Sequence, residues 1–451
     1  MTKLEVTPQR GINRQILRLA LPAFGALIAE PLFLIADSAI VGHLGVDALA
    51  GVGLASTLLQ TAVGLLVFLA YSTTPAVARL IGAGRQREAI AVGRDGIWLA
   101  ALLGAVIAIL GFFAAEPLLR LMGAQGAVLE QAGVYLKFSM PGVPAMLLVL
   151  AATGVLRGLQ DTRTPLLVAG VGFALNAALN YLLVYSAGLG VAGSAIGTSI
   201  AQWVMAAVYL LIVLGTARKH RLSIGPHWRG VASLTSVGGW LLLRTLSLRA
   251  AILATVLVAT AQGPVNLAAH QIAMTIFSFL AFALDAIAIA AQALIGKELG
   301  ASNLPTVRAL TRRMVLWGLG FGVLTGALVL LSAPWLGWIF SSDVSVHEAL
   351  ATALIVLGIS QPVAGFVFVL DGVLIGAGDA RYLALAGMLA LMLYAPLLYW
   401  VSSADLEGPV ALAWLWAAFA GGYLLARALT LGLRARTSAW HRTGLLTAVN
   451  E

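Results

Sequence analysis

Residues 27–45 read LIAEPLFLIADSAIVGHLG, and the rest of the chain takes its meaning from them. The stretch lies inside the first long apolar segment, near residues 16–41, yet it carries two carboxylates, Glu30 and Asp37. Seven positions are about two helical turns, so both side chains leave the same face. An ionisable group within a membrane span is costly, and such groups usually face a bundle interior or a water-filled cavity. Asp37 lies toward the outer end, where a carboxylate can also snorkel to the interface. Glu30 lies near mid-span, where it cannot. The pair is therefore read as marking a pathway.

Composition supports a membrane setting. Of 451 residues, 61% are hydrophobic and only 10% charged, against about 25% charged in soluble domains. Mean hydropathy is +0.97. The apolar runs are long and alternate nowhere with period two, so helices rather than a barrel are expected. The 49 glycines suit close helix packing in lipid. With no cysteine, disulfides and thiolate metal sites are excluded. Residues 1–15 lack a cleavable signal pattern.

Twelve spans are expected, near 16–41, 49–72, 93–115, 134–156, 165–187, 191–215, 233–259, 266–292, 315–338, 349–375, 383–401 and 409–431. Arginine and lysine crowd alternate connections, from Arg79–Arg94 through Arg157, Arg163 and Arg218–Arg229 to Lys297–Arg313 and Arg381. Both termini are basic too, whereas the opposite connections hold mostly Asp and Glu, such as Asp47, Glu130 and Asp405. The positive-inside rule then puts both termini in the cytoplasm, in a plasma (inner) membrane. It also accounts for the net charge of +9 without nucleic acid.

The chain repeats itself at an offset of 218 positions, pairing Gly45 with Gly263, Pro144 with Pro362 and Gly190 with Gly408. The densest match sets GVLRGLQDTR (154–163) against GVLIGAGDAR (372–381). Six spans per half is an even number, which relates the halves by a pseudo-two-fold axis along the membrane normal. The expected fold is an all-α polytopic membrane protein with a six-helix lobe over 1–215 and a basic cytoplasmic linker over 216–232. A second six-helix lobe follows over 233–431, then a cytoplasmic tail over 432–451. Two such lobes suit rocker-type alternating access.

The polar contents of the halves differ. Asn176 and Asn180, at i and i+4 on the fifth span, present both amides on one face. Tyr135, Thr198 and Asp37 fall at a similar depth. At the 218 offset these five positions become Tyr394, Leu398, Ala353, Trp416 and Thr255, so the second half lacks the cluster. A carboxylate with two stacked amides, a phenol and a hydroxyl suits reversible protonation. Pro22 is expected to kink the first helix by removing a backbone donor. The second half has its own charges, Arg244 and Arg249 on the seventh span, Asp285 on the eighth and Asp371 on the tenth. Arg244 is expected within pairing reach of Asp285 or Asp371, as a structural lock or as part of transport. His270 reads as a satisfied packing residue, and Asp161 and Asp379 as turn or helix caps. There is no P-loop, G-x-S-x-G or H-E-x-x-H, so neither ATP-driven transport nor an enzyme is expected, and no metal site.

Six stretches carry a resemblance: LALPAFGALIAEPLFLIADSAIVGHLG (19–45), RGLQDTRTP (157–165), LNAALNYLLV (175–184), NLAAHQIA (266–273), LDAIAIAAQALIGKELGA (284–301) and VLDGVLIGAGDAR (369–381). Together they resemble the multidrug and toxic compound extrusion (MATE) family, in its DNA-damage-inducible (DinF-type) branch. The resemblance implies a secondary antiporter exporting organic, often cationic and amphipathic, compounds in exchange for H+ or Na+, with no other cofactor. It also implies an ion-linked carboxylate on the first helix, which falls on Asp37. The branch often has Asn then Asp four residues later on the fifth helix. This chain has Asn176 and then Asn180, one titratable group fewer, which makes Glu30 the candidate for a second acid. The expected partners are small organic substrates and the lipid bilayer, with the chain a monomer. The competing readings are a lipid-linked precursor flippase and a non-transporting membrane scaffold. No cluster of cavity-facing arginines in both halves favours the first, and the buried acids of one half argue against the second.

Overall fold

In lipid, an unpaired backbone N–H or C=O costs several kcal/mol, so a span must satisfy its own groups, as a helix does. The computed structural model describes residues 9–444, apart from the side chains of Gln9, Arg10 and Glu30. Among the described residues there are twelve helical segments long and apolar enough to cross a membrane, and no strand. The first six are α1 (Gly11–Gly42), α2 (Val46–Gly82), α3 (Gln86–Leu121), α4 (Gly126–Gly158), α5 (Arg163–Ser186) and α6 (Gly190–Lys219). The other six are α7 (Trp228–Ala261), α8 (Pro264–Gly300), α9 (Leu304–Phe340), α10 (Val344–Gly376), α11 (Ala380–Ser403) and α12 (Gly408–Arg436).

The repeat in the sequence is a repeat in backbone geometry. The first residues of α2, α3, α4 and α6 each lie 218 positions before those of α8, α9, α10 and α12. Turns that need positive φ recur at the same offset: Gly45 and Gly263 at 123° and 101°, Gly190 and Gly408 both at 56°. At two further pairs one member is not glycine: Gly84 matches Ser302 (57°), and Gln160 (66°) matches Gly378. The turn is thus kept where its preferred residue is not, at a steric cost that glycine avoids.

The residues divide into two compact units. One holds Leu21–Gly238; the other holds Gly239 onward together with the start of α1 as far as Ala20. The boundary falls inside α1 and inside α7, again 218 positions apart, and not at the basic linker that the sequence suggested. Three neighbouring residues of α3 hold that linker within the first unit. Arg94 donates to Ser223 O (2.8 Å) and Trp98 Nε1 to Ile224 O (2.9 Å), while Asp95 accepts from His227 N (3.1 Å). α1 is helical through both Pro22 and Pro31, so Pro22 does not end the helix.

Each unit is packed around one long helix. In the first, α4 is buried against α2, α3 and α6; in the second, its counterpart α10 packs against α8, α9 and α12. Small residues permit the approach. A Cβ at Gly318, Gly322 or Gly326 of α9 would come within 2.4–2.6 Å of a backbone oxygen of α10. In the second unit the chain after α12 folds back: Trp440 is buried and Gly444 N donates to Leu299 O (3.0 Å).

Candidate functional site

α5 and α6 are consecutive and antiparallel, so facing residues have a constant sum of positions. Asn176 faces Thr198 and Asn180 faces Ser194, one rung above the other. Asn176 Nδ2 donates to Thr198 Oγ1 (3.0 Å), and Asn180 Nδ2 reaches Ser194 Oγ at 3.5 Å. The helices close this tightly because a Cβ at Gly197 would sit 2.2 Å from Asn180 Oδ1.

Asp37 of α1 completes the upper rung. Its Oδ1 accepts from Asn180 Nδ2 (2.7 Å) and from Ser194 Oγ (2.6 Å), and its Oδ2 from the hydroxyl of Tyr135 on α4 (3.4 Å). The side chain is 5% exposed, and Asn180 is fully buried. A carboxylate so buried needs its lone pairs satisfied, and hydrogen bonds to a charged group are worth roughly 1.5–3 kcal/mol each. Tyr135 belongs to a buried apolar cluster with Val41, Val52, Ala55, Leu136 and Val191. Tyr185 OH donates to Ile40 O (2.5 Å), tying the outer end of α1 to the π-helical turn 182–186 that ends α5. Such π-turns often occur at functional sites.

Asp37, Tyr135, Asn176, Asn180 and Thr198 therefore come together in the first unit. Glu30 lies on α1, but its side chain is outside the described residues. Ser194 was missed by sequence reasoning, although it makes the shorter of the two bonds to Oδ1. Its signal was available: Ser194 and Thr198 repeat at i, i+4 on α6 as the asparagines do on α5.

In the second unit Asp371 of α10 takes two guanidinium groups. Arg244 of α7 and Arg427 of α12 both form salt bridges with it, and Arg427 Nη1 also donates to Leu383 O (3.3 Å). All three side chains are largely buried. Asp285 is half-buried on α8, and Arg249 is exposed on α7. Arg427 was not singled out in the sequence. α12 continues to Arg436, beyond the expected end at 431, and the π-helical turn Phe419–Leu424 shifts the register before Arg427. Of the two aspartates read as caps, Asp161 accepts from Thr164 N (3.0 Å) at the start of α5, whereas Asp379 instead pairs with Arg434 (2.6 Å).

The two clusters occupy exchanged positions in the repeat. Where the first unit has Asp37 and Asn176, the second has Thr255 and Tyr394, joined at 2.7 Å. Where the second has Asp371 and Arg427, the first has Thr153 and Tyr209, at 3.4 Å. Each unit thus has charge at one of these two positions and a neutral Thr–Tyr pair at the other. Among the described residues no group of three or more His, Asp or Glu could hold a metal ion.

The family model MatE matches residues 22–182 and 245–400. The chain is 30% identical over 378 residues to DNA damage-inducible protein F of Escherichia coli, covering 82% of this chain and 81% of that one. It is 30% identical over 395 residues to Protein DETOXIFICATION 44, chloroplastic, of Arabidopsis thaliana, covering 84% and 75%. In fold it is similar to a MOP superfamily transporter from Pyrococcus furiosus, with TM-score 0.86, 23% identity and coverage of 96% and 97%.

Proposed function

The chain belongs to the multidrug and toxic compound extrusion family, and from that premise we propose that it is a secondary antiporter exporting organic, often cationic and amphipathic, compounds in exchange for H+. The observation that carries this reading is the set of three donors on one buried carboxylate, Asn180, Ser194 and Tyr135 around Asp37. Asp37 is the titratable group of this cluster and can take up and release one proton, which favours H+ as the coupling ion; the Oδ1 atoms of Asn176 and Asn180, unpartnered among the described residues, are the oxygens that Na+ would use instead.

Asp37 alternates between two forms. Ionised, it attracts a cationic substrate and accepts from its three neighbours. Protonated, it becomes a donor and needs an acceptor. Asn180 can serve both, since its amide has a donor and an acceptor end, and Ser194 can rotate its hydroxyl. Water reaches Asp37 from the exterior in the outward-facing state and a proton loads it; the substrate loses its electrostatic partner and leaves. Reorientation by rocking of two six-helix lobes exposes Asp37 to the cytoplasm, where it deprotonates and the site accepts new cargo. Export needs differential affinity between the two arrangements, because equal binding to both shifts nothing. Glu30 modulates the site from two turns away. The Arg244–Asp371–Arg427 cluster holds the second lobe's framework. The chain works as a monomer in the plasma membrane with both termini cytoplasmic, as the charge asymmetry supports.

Accumulation of a fluorescent organic cation by cells, with and without a protonophore, tests this. Expression should lower accumulation, and the protonophore should restore it. Lowering that survives the protonophore would rule out proton coupling.

A further inference from the structure

His270, read from the sequence as a satisfied packing residue, is fully buried on α8 with neither ring nitrogen partnered among the described residues, and no space opens beside it. Space opens instead on the first unit. At Met140–Gly142 α4 tightens into a 3-10 turn around Pro141, which has no backbone N–H. α6 closes on that turn: a Cβ at Gly142 would lie 2.7 Å from Ser199 Oγ. Ser199 Oγ donates to Phe138 O (3.1 Å) and Trp203 Nε1 to Pro141 O (2.9 Å). Beside this contact the two helices leave a groove of about 580 Å³, lined by Phe138, Pro141, Ile196, Ile200, Val204 and Ala207.

Chemistry and length limit what the groove holds. The hydroxyl of Ser199 and the indole N–H of Trp203 are already spent on α4, so the walls present hydrocarbon and ring faces. Residues 196–207 run roughly 16 Å along α6. That is half of the ~30 Å hydrocarbon core, the depth that the acyl chain of one leaflet fills.

Charge then selects the lipid. The connections opposite the basic ones are mostly acidic, and Arg120 and Lys137 break that pattern at one place. Glu116 accepts from Arg120 (2.7 Å), and the exposed Lys137 lies close enough to act on the same carboxylate. Two cations against one carboxylate leave a net positive charge. Lys137 is one turn from Pro141 on the same face of α4, and its long stem carries the ammonium outward to headgroup level. A cationic compound is repelled there, and a second copy docked symmetrically would set like charges together.

We propose that the α4–α6 groove binds one acyl chain of an anionic phospholipid, with the headgroup phosphate held by Lys137 and Arg120. The site is independent of the export reading and needs no gradient.

The chain contains no cysteine, so Ala207→Cys carries its one thiol, at the inner end of the groove, and a bimane attached there reports nearby lipid. The full chain is placed in phosphatidylcholine nanodiscs doped with phosphatidylglycerol or phosphatidylcholine, each nitroxide-labelled near the end of one acyl chain. Labelled phosphatidylglycerol should reach half-quenching at roughly five-fold lower mole fraction, the effect of one cation on one anionic lipid. Lys137→Gln should bring the two lipids together. Val204→Phe, which narrows the groove and leaves the charges, should do the same. Thermal unfolding checks that each variant is folded, and Lys137→Gln carries the test if Val204→Phe is not. Equal quenching by the two lipids without a second substitution means that ordinary boundary lipid covers the groove, and overturns the proposal. A preference that survives Lys137→Gln overturns it by placing the headgroup elsewhere. One that survives in a folded Val204→Phe variant overturns it by placing the chain elsewhere. A bimane that neither lipid quenches means that a second copy covers the groove, and overturns it as well. None of these outcomes touches proton coupling at Asp37.

Discussion

Asn180 Nδ2 and Asp37 Oδ1 meet at 2.7 Å across 143 positions of sequence, and both side chains are buried. The contact depends on Gly197, where a Cβ would lie 2.2 Å from Asn180 Oδ1. Gly197→Ala should therefore push the amide off the carboxylate and reduce export at least ten-fold. Gly53→Ala, on a helix with open space beside it, should leave export unchanged. Equal activity of the two variants in a vesicle efflux assay would show that the Asn180 contact is dispensable.

Ser194 donates to Asp37 Oδ1 at 2.6 Å. Ser194→Ala strips one donor from a buried carboxylate and should destabilise the protein by roughly 1.5–3 kcal/mol. Thr198→Ala removes the acceptor of Asn176 but no bond to the carboxylate, and should cost about 1 kcal/mol. Thermal unfolding in detergent at neutral pH orders the two; the reverse order would place the weight of the network on the lower rung.

Asp371 is bound by Arg244 and Arg427 together. Removing the shared acid strands two guanidinium groups, so Asp371→Ala should cost about 3–5 kcal/mol. Replacing all three by apolar residues of similar volume should cost far less, since a buried ion cluster gains little over good packing. A triple variant much less stable than Asp371→Ala would contradict this account.

His441 sits in the segment folded back beyond α12. Burial first, and the Arg308 guanidinium second, hold it below the usual histidine range. A depressed folded-state pKa means fewer protons bound when docked. Docking is thus favoured above the unfolded value of about 6.5 and weakens as pH falls through the folded one. The protection factors of residues 437–444 against amide exchange should fall on acidification, and His441→Phe should remove most of that response. Protection factors that ignore pH in the native chain would mean that His441 does not govern docking.

Most of the fold was legible because lipid leaves few choices: span length, the charge of the connections and the offset of 218 follow from solvation and turn geometry. Asp37, Asn176, Asn180, Tyr135 and Thr198 were legible because polar groups stand out in apolar spans. Ser194 was passed over, since a serine among glycines and alanines on α6 reads as helix packing until its i, i+4 spacing to Thr198 is set beside that of the asparagines. Arg427 was hidden by its place near a basic tail; only the π-helical turn of α12 shows how it reaches Asp371. The unit boundary at Gly238–Gly239 was hidden too, because it rests on Arg94, Asp95 and Trp98 gripping a linker whose own sequence reads as free.

The central claim is that one carboxylate couples export to the proton gradient. Substrate efflux from proteoliposomes, under separately imposed pH and Na+ gradients, tests it in the native chain and in Asp37→Asn. The native chain should respond to the pH gradient and not to Na+. Asp37→Asn should remain folded, bind substrate more weakly and lose gradient-driven efflux. An Asp37→Asn protein that exports at the native rate with the native pH dependence would contradict the account.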